Sequence, residues 1–474
     1  MPILGLALGA LAIVPYPRQV VETGGESSAT DVTFRCDATL PGEGYRLTID
    51  ATGAVVESSG AAGAFYAQKT LAQLPKPWPC LRIEDSPAYR WRGLHLDESR
   101  HFFGKETVRD LLDRMAAYKF NVFHWHLTDD QGWRIDVPGY PELIRYGAVR
   151  SASPRHGTHP SRGTVADNTA ALNGTRYGPF YYNEADLREI VEYAAARHIA
   201  VVPEIELPGH VYAALAAYPE FACRPENLSA RDPRTIWGIE KDVLCVGNPK
   251  AISFLEDVLD FVCRVFPSPY VHIGGDECPR ERWRACARCR AFAERKGLPG
   301  TDELQAWVTR HFVRILSERG KRAVAWDEGL DGNVPTNMVG MCWRDPSCVG
   351  AGQPIVSSVD ALARGHEMVM TPNSYCYLDY NQGLKDDPYQ YARRTLTLER
   401  AYGFDPCRGI PEHLHSRILG GQGNNWTEYT WNEYDLMWKV WPRAAALSEC
   451  LWTGNSRPGF DDFRRRLHAC GGSR

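Results

Sequence analysis

Two adjacent carboxylates, Asp276 and Glu277, follow an apolar, β-branched run that ends in Gly274 and Gly275. The glycines permit a sharp backbone turn, which would place both acids at the carboxyl end of a buried strand. Neighbouring carboxylates in one pocket cannot both ionise freely, so their pKa values should separate. We therefore predict that one of them donates a proton near neutral pH, although an isolated Asp-Glu pair is more often part of a solvated turn.

Polar and aromatic side chains also follow the other apolar runs of the chain. They are Asp97, Glu98, Ser99, Arg100 and His101; His126, Asp129 and Asp130; Glu204, Glu206 and His210; Trp326, Asp327 and Glu328; Trp343; Tyr375, Tyr377 and Asp379; and Trp426 with Glu428. Aromatic rings cover the apolar faces of sugars, and charged side chains form strong hydrogen bonds to sugar hydroxyls. Polar and aromatic side chains after a single strand would be weak evidence of a site. Their recurrence after every predicted strand predicts a carbohydrate pocket.

A (β/α)8 barrel is the arrangement that would bring these side chains together. From Tyr89 onward, strand and helix patterns alternate, which is typical of a parallel α/β fold. The candidate strands are residues 93–97, 121–127, 200–205, 270–275, 322–326, 338–343, 367–370 and 418–422. Eight strands in one domain predict a TIM barrel over residues 89–474, with its chemistry at the carboxyl ends of the strands. An open doubly wound sheet would normally carry a glycine-rich phosphate turn after an early strand, and the sequence has none.

A small α+β domain is predicted to precede the barrel, over residues 15–88. Residues 45–49 and 53–57 alternate as strands, and residues 61–74 have a helical pattern. The proline-rich segment 75–79 is predicted to break any regular element.

The first fourteen residues, 1–14, are apolar but too few to span a membrane. They resemble the hydrophobic part of a secretion signal, so we interpret them as a signal remnant. The protein is therefore expected to be exported, either to the periplasm or out of the cell.

The charge of the chain argues against two classes of partner. Its 54 basic and 58 acidic residues give a formal net charge of −4 over 474 residues. This balance provides no basic stripe for nucleic acid or for an anionic membrane surface. A neutral glycan is the better partner, and homodimerisation is left open.

The fourteen cysteines include two groups with suggestive spacing. Cys223 and Cys245 bracket a polar loop and could pair. Cys278, Cys286 and Cys289 form a second cluster, whose Cys-x-x-Cys spacing is compatible with a structural zinc site but is more often explained by free thiols or a local disulfide. The sequence does not identify a fourth ligand, so free thiols and a local disulfide remain alternatives. No cofactor is required for the predicted chemistry.

Six segments together resemble glycoside hydrolase family 20, the β-N-acetylhexosaminidases. They are LDESRHFF at 96–103, HWHLTDDQGWR at 124–134, VPEIELPGH at 202–210, HIGGDE at 272–277, YLD at 377–379 and WTE at 426–428. The resemblance covers essentially the whole chain, and it implies a small α+β domain before the barrel. One departure is Glu206, which stands where many relatives carry Asp.

The resemblance implies an exo-acting enzyme that hydrolyses terminal N-acetyl-β-D-glucosaminides or galactosaminides with retention of configuration. The 2-acetamido group of the substrate attacks the anomeric carbon and forms an oxazolinium ion, an exception to the two-carboxylate scheme. Matching by position implies that Glu277 is the general acid and base, that Asp276 stabilises the acetamide nitrogen and that Tyr377 binds the acetamide oxygen. It further implies a box of Trp326, Trp343 and Trp426, hydroxyl binding by Arg100, Asp379 and Glu428, and support of the acid by Asp129 and His210.

Two other functions remain open at this point. A lacto-N-biosidase-like member of the same family would release a disaccharide and would need a wider pocket, which Asp379 and Glu428 argue against. A non-catalytic glycan-binding protein could use the same fold, although every expected catalytic position is filled. The sequence does not indicate the natural glycan or the preferred configuration at C4.

Overall fold

The computed structural model describes residues 11–156, 158, 171–344, 357–384 and 394–471. The strands are β1 (Gln19–Ser27), β2 (Val32–Cys36), β3 (Tyr45–Asp50), β4 (Gly53–Ser58), β5 (Trp78–Asp85), β6 (Trp91–Asp97), β7 (Val122–His126), β8 (Thr128–Asp129), β9 (Gly132–Trp133), β10 (Ala200–Glu204), β11 (Tyr270–His272), β12 (Arg322–Trp326), β13 (Val339–Cys342), β14 (Glu367–Met370) and β15 (Ile418–Asn425). The helices are α1 (Ala61–Leu71), α2 (Lys105–Ala117), α3 (Glu184–Ala195), α4 (Tyr212–Ala217), α5 (Pro249–Val265), α6 (Glu281–Ala285), α7 (Ala287–Arg295), α8 (Leu304–Glu318), α9 (Ser358–Arg364), α10 (Asn373–Cys376), α11 (Leu398–Tyr402), α12 (Glu433–Val440), α13 (Arg443–Trp452) and α14 (Phe460–Ala469).

The barrel is closed and parallel, with the strand order β6-β7-β10-β11-β12-β13-β14-β15. Each of the eight strands predicted from the sequence corresponds to one barrel strand, so the predicted (β/α)8 fold is confirmed. Their apolar side chains pack inside the barrel or against the surrounding helices, as in other parallel sheets covered on both faces. Among the described residues, no helix combines the length and apolar character needed to cross a bilayer.

The small domain is a mixed sheet with the strand order β1-β5-β3-β4-β2, and α1 packs on β3 and β4. The prediction that the proline-rich segment breaks all structure is wrong, because β5 begins at Trp78 and includes Pro79. Pairing between β3 and β5 extends only as far as Leu81, and Pro79 pairs with β1 next to a bulge. The missing amide of Pro79 is therefore tolerated at this end of the strand.

Residues 11–14 pack against the rest of the protein. Ile13 and Val14 are fully buried. Gln73 Nε2 donates to the Val14 carbonyl at 3.0 Å, and Arg466 Nη1 donates to the Ile13 carbonyl at 2.6 Å. The interpretation of 1–14 as a signal remnant stays a prediction. Residues 1–10 lie outside the described residues, and export stays a prediction.

Asp85, at the end of β5, joins the small domain to the barrel. Its carboxylate accepts hydrogen bonds from Tyr45 Oη at 2.7 Å, from Lys119 Nζ at 3.1 Å and from Trp452 Nε1 at 2.9 Å. Lys119 lies just before β7, so this contact is at the amino-terminal end of that strand. The small domain is thus held at the opposite end of the barrel from the predicted pocket.

Candidate active site

Asp276 and Glu277 lie on the turn that follows β11, at the carboxyl end of the barrel. Gly274 and Gly275 have φ values of +59° and +96°, which L residues rarely adopt. A Cβ at Gly274 would also overlap the carboxylate of Glu206, so this position requires glycine. Glu277 itself has a φ of +44°, an uncommon left-handed conformation that is often found at functional sites. The turn therefore presents both acids as the sequence predicts.

His210, on the loop after β10, faces both acids. Its Nε2 lies 3.7 Å from Glu277 Oε2 and 3.8 Å from Asp276 Oδ2. Its Nδ1 lies 3.1 Å from Asp129 Oδ1, and Asp129 Oδ2 lies 2.7 Å from Arg100 Nη2. A continuous polar network thus runs from Arg100 through Asp129 and His210 to the pair of acids.

His210 is held as an imidazolium ion by this network. Burial alone would lower its pKa, but the charge of Asp129, the hydrogen bond to Asp129 and the nearby carboxylates of Asp130 and Glu277 outweigh it and raise the pKa of His210 well above its usual value. A positive charge next to Glu277 stabilises the ionised carboxylate.

The pKa values of the two acids separate, as predicted for neighbouring carboxylates. Burial, followed by the charges of Glu328 and Glu277, raises the pKa of Asp276 to about 7, although His210 opposes the shift. Burial also acts to raise the pKa of Glu277, but His210 and the more distant Arg100 and Arg344 outweigh it, so this pKa is lowered. In the free pocket the shared proton therefore resides mainly on Asp276, and the form with the proton on Glu277 is the minor one.

Three tryptophans and one tyrosine form the wall of the pocket. The ring centroids of Trp326 and Trp426 are 5.7 Å apart, those of Tyr377 and Trp426 are 6.5 Å apart, and Trp343 stacks on Tyr377 at 6.3 Å. Burial raises the pKa of Tyr377 well above its usual value, with a smaller contribution from the charge of Asp276. The phenol is therefore protonated and can donate a hydrogen bond beside Asp276.

Several polar groups of the pocket are available to form hydrogen bonds to a ligand. Asp276 Oδ1 and Asp379 Oδ1 are buried and have no hydrogen-bond partner among the described residues. Burial and the nearby charge of Glu428 raise the pKa of Asp379 to about 7, and burial also raises the pKa of Glu428. Arg100 lies over the Trp426 ring, with 5.2 Å between the guanidinium carbon and the ring centroid. The geometry thus offers hydrogen-bonding groups and aromatic surfaces to the same ligand.

Sequence comparisons match both parts of the chain to one family. A profile described as Glycosyl hydrolase family 20, catalytic domain, matches residues 89–455. A second, described as Glycosyl hydrolase family 20, domain 2, matches residues 10–86. The chain belongs to glycosyl hydrolase family 20. The family predicted from the motifs is thereby confirmed.

The individual proteins that this family 20 chain resembles are β-hexosaminidases and related enzymes. A β-hexosaminidase from Porphyromonas gingivalis is 37% identical over 95% of this chain, which spans 56% of the length of that relative. The crystal structure of a β-N-acetylhexosaminidase matches with a TM-score of 0.86 and 33% identity, covering 96% of this chain and 93% of that one. A GH20 exo-β-N-acetylglucosaminidase from Vibrio harveyi, solved in complex with N-acetylglucosamine, has a TM-score of 0.81 and 28% identity, with coverage of 97% and 76%.

Below the pocket, the family 20 barrel contains a cluster of histidines around Glu204 that sequence analysis missed. Glu204 Oε2 lies 2.5 Å from His126 Nδ1 and 3.2 Å from His124 Nε2. Glu204 Oε1 lies 2.8 Å from His272 Nδ1 and accepts a hydrogen bond from Trp326 Nε1, also at 2.8 Å. The alternation of His124 and His126 along β7, which points both side chains into the barrel, was the available signal. The cluster fixes the orientation of Trp326.

Glu206 lies between this cluster and the catalytic turn. Burial, together with the charges of Asp276 and Glu204, raises the pKa of Glu206 well above its usual value. The Glu206 carboxyl is therefore neutral behind Asp276. Gly274 has no side chain, and this leaves room for the Glu206 carboxyl group.

Arg344 is a second residue that sequence analysis missed. Its guanidinium pairs with the carboxylate of Glu328 and lies 3.6 Å from Asp327 Oδ1. Glu328 Oε2 in turn accepts a hydrogen bond from Trp343 Nε1 at 2.9 Å. Arg344 therefore helps to orient Trp343, and its position directly after this tryptophan was the available signal.

The predicted cluster of Cys278, Cys286 and Cys289 needs correction. Cys278 packs against Gly209. Burial raises the pKa of its thiol, and the charges of Arg280 and His210 oppose this shift. The sulfurs that meet are those of Cys223, Cys245, Cys286 and Cys289. The antiparallel bridge between residues 222 and 244 places Cys223 beside Cys245. Hydrogen bonds from Arg288 to the Ala222 carbonyl and from Trp283 to the Leu244 carbonyl bring Cys286 and Cys289 to this pair.

Proposed function

We propose that this family 20 chain is an exo-acting β-N-acetylhexosaminidase that releases terminal N-acetylglucosamine or N-acetylgalactosamine with retention of configuration. The observation that carries the proposal is the Asp276–Glu277 pair, which faces His210 beside the aromatic wall formed by Trp326, Trp343 and Trp426. The Vibrio harveyi relative binds N-acetylglucosamine, which supports an N-acetylated sugar as the ligand.

In the first step, the acetamide oxygen of the substrate attacks C1 while the bond from C1 to the glycosidic oxygen breaks. Glu277 transfers its proton to the departing oxygen, and Asp276 accepts a hydrogen bond from the acetamide N–H. Tyr377 donates a hydrogen bond to the acetamide oxygen and holds it near C1. The products of this step are the free alcohol and a bound oxazolinium ion.

In the second step, Glu277 removes a proton from a water molecule, whose oxygen attacks C1 and reopens the ring. Two inversions at C1 give net retention. The remaining carboxylates behind the turn are buried. Glu204 is paired with His126 and Asp129 with Arg100, and Glu206 lies against Gly274. Their burial behind the turn supports a nucleophile supplied by the substrate rather than by the protein.

The outer end of the pocket supports removal of single sugars. Asp379 is buried and close enough to Glu428 for the charge of Glu428 to raise its pKa. Arg100 lies over the Trp426 ring. These groups would bind the hydroxyls of a non-reducing sugar and exclude a further residue beyond it. Both configurations at C4 could bond to the two acids, so we assign no preference between them.

Matched aryl glycosides test this proposal. We expect hydrolysis of aryl N-acetylglucosaminide to exceed that of aryl lacto-N-bioside by about a hundredfold or more, because a second sugar would collide with the Asp379 side of the pocket. The measurement is kcat/KM for both substrates. Faster release of the disaccharide would favour the lacto-N-biosidase alternative. Binding of the sugar without any hydrolysis would favour a glycan-binding protein.

The location of the proton predicts a specific pH dependence of kcat/KM, which reports on the free enzyme. Activity requires the singly protonated pair, because one carboxyl must donate a proton while the other accepts the acetamide N–H. We expect kcat/KM to fall at low pH, where both acids are protonated, and to fall above about pH 7, where both are ionised. In D276N the proton depends on Glu277 alone, whose pKa is lowered, so the alkaline limb should move to lower pH.

Asp379 provides the matched control for this pH profile, since its pKa is also raised to about 7. The D379N variant should bind substrate less well but keep the alkaline limb near pH 7. If D379N moves the limb and D276N leaves it in place, the limb belongs to sugar binding and the assignment of the shared proton is wrong.

A further inference from the structure

We propose that Cys223, Cys245, Cys286 and Cys289 bind one structural zinc ion, at a site separate from the sugar pocket. The four sulfur atoms all lie within 4.8 Å of one another. The separations are 3.6 Å between Cys223 and Cys289, 3.7 Å between Cys245 and Cys289, and 3.9 Å between Cys245 and Cys286. Four thiolates at the usual zinc–sulfur distance on a tetrahedron would be about 3.8 Å apart, which matches these values.

The donor set is that of a closed structural site. Four cysteine sulfurs without a carboxylate or water favour zinc over harder cations such as magnesium and calcium. Cys245 and Cys289 are fully buried. A disulfide requires sulfurs about 2.05 Å apart, and two such bonds would need the four side chains to move into separate pairs.

The backbone around the cluster supports thiolate ligands. Cys286 is the N-cap of α7, and the Cys-x-x-Cys pair places Cys289 within the first turn of that helix. Arg288, which lies between the two helix cysteines, donates from Nη2 to the Ala222 carbonyl at 2.8 Å, next to Cys223. A Cβ at Gly247 would overlap the backbone of Arg288 and Cys289, so glycine is needed for this close approach. The hydrogen bond to Ala222 holds the Arg288 guanidinium near the sulfurs, where its positive charge offsets part of the negative charge of bound thiolates.

The cluster connects the two loops that carry the catalytic groups. The Leu244 amide donates to the Pro208 carbonyl at 3.1 Å, two residues before His210. Trp283 Nε1 donates to the Leu244 carbonyl at 2.8 Å, and Trp283 lies six residues after Glu277. The ion would therefore brace the His210 loop against the Glu277 loop without contacting the substrate.

Metal analysis of the purified full chain tests the site directly. We expect about one zinc per chain in the wild type after exposure to zinc chloride and removal of excess metal. The C223S and C289S variants should each lose most of this zinc, because three ligands bind it more weakly than four. Both should melt at lower temperature, since metal binding stabilises the folded state. C278S and C263S are the controls, and both should keep the metal, since neither sulfur belongs to the quartet.

A second measurement on the wild type applies even if the variants fail to fold. Titration of the thiols with a mercurial reagent should release zinc, detected with a zinc-binding dye, in proportion to the cysteines modified. Cobalt chloride added to the zinc-free protein should give the visible absorption of tetrahedral thiolate-bound cobalt. Four metal-free thiols after zinc exposure, disulfides within the quartet by intact mass, or loss of zinc in C278S but not in C223S would each overturn the proposal. None of these readouts depends on glycosidase activity.

Discussion

Replacement of Glu277 by Gln is expected to lower kcat/KM for an N-acetylglucosaminide with a poor leaving group by about a hundredfold or more. Gln has nearly the same shape as Glu but carries no transferable proton. The Glu277 side chain is 36% exposed, so the pocket can accommodate the amide without repacking. For an activated nitrophenyl leaving group, which departs without protonation, the loss in kcat/KM should be much smaller.

The leaving-group dependence distinguishes loss of the acid from general damage to the site. E281Q is the matched control, because Glu281 is an exposed residue on α6 only four positions further along. Its kcat/KM should equal that of the wild type for both substrates. Equal losses in E277Q for the good and the poor leaving group would mean that Glu277 does not protonate the glycosidic oxygen.

The barrel was predictable from sequence because its strands are buried on both faces. Such strands appear as short, nearly continuous apolar runs, and polar side chains after each run mark the carboxyl ends. The small domain was less predictable. β1 and β2 have mostly exposed residues and form by pairing with β5 and β4 rather than by hydrophobic patterning.

The roles of neighbouring acids and thiols depended on contacts that no sequence motif contains. Whether Asp276 or Glu277 carries the shared proton is set by burial, which raises the pKa of Asp276, and by His210, which lowers the pKa of Glu277 from 3.7 Å away. The proposed zinc ligands meet because the 222–244 bridge pairs Cys223 with Cys245, and because Trp283 and Arg288 bond to the carbonyls of that bridge. Both features arise from tertiary packing between loops that are distant in sequence.

The central claim, that the substrate's own acetamide is the nucleophile, predicts a steep effect of fluorine on that group. Each fluorine withdraws electrons from the acetamide oxygen and weakens its attack on C1. We expect kcat/KM to fall roughly tenfold per fluorine, equivalent to about 1.4 kcal/mol in the activation free energy for each. Asp276 and Tyr377 hold the acetamide but cannot restore its nucleophilicity.

A series of substrates with increasing numbers of fluorines on the acetamide is informative only if the fluorinated acetamide fits the pocket. The control is competitive inhibition by the corresponding free N-acylglucosamines, whose inhibition constants should change little if the Trp326 and Trp343 walls accommodate the larger acyl group. A parallel loss of binding and rate would indicate a steric effect, and substrates of equal acyl size but different electron demand would then replace the series.

The most direct test is kcat/KM for aryl glycosides that carry zero, one, two and three fluorines on the acetamide, at the pH of maximal activity. The proposed mechanism predicts a continuous decline across the series, with no covalent sugar on the protein. A rate independent of fluorination, together with a glycosyl adduct detected by intact mass spectrometry, would show that a protein side chain is the nucleophile and would contradict the mechanism.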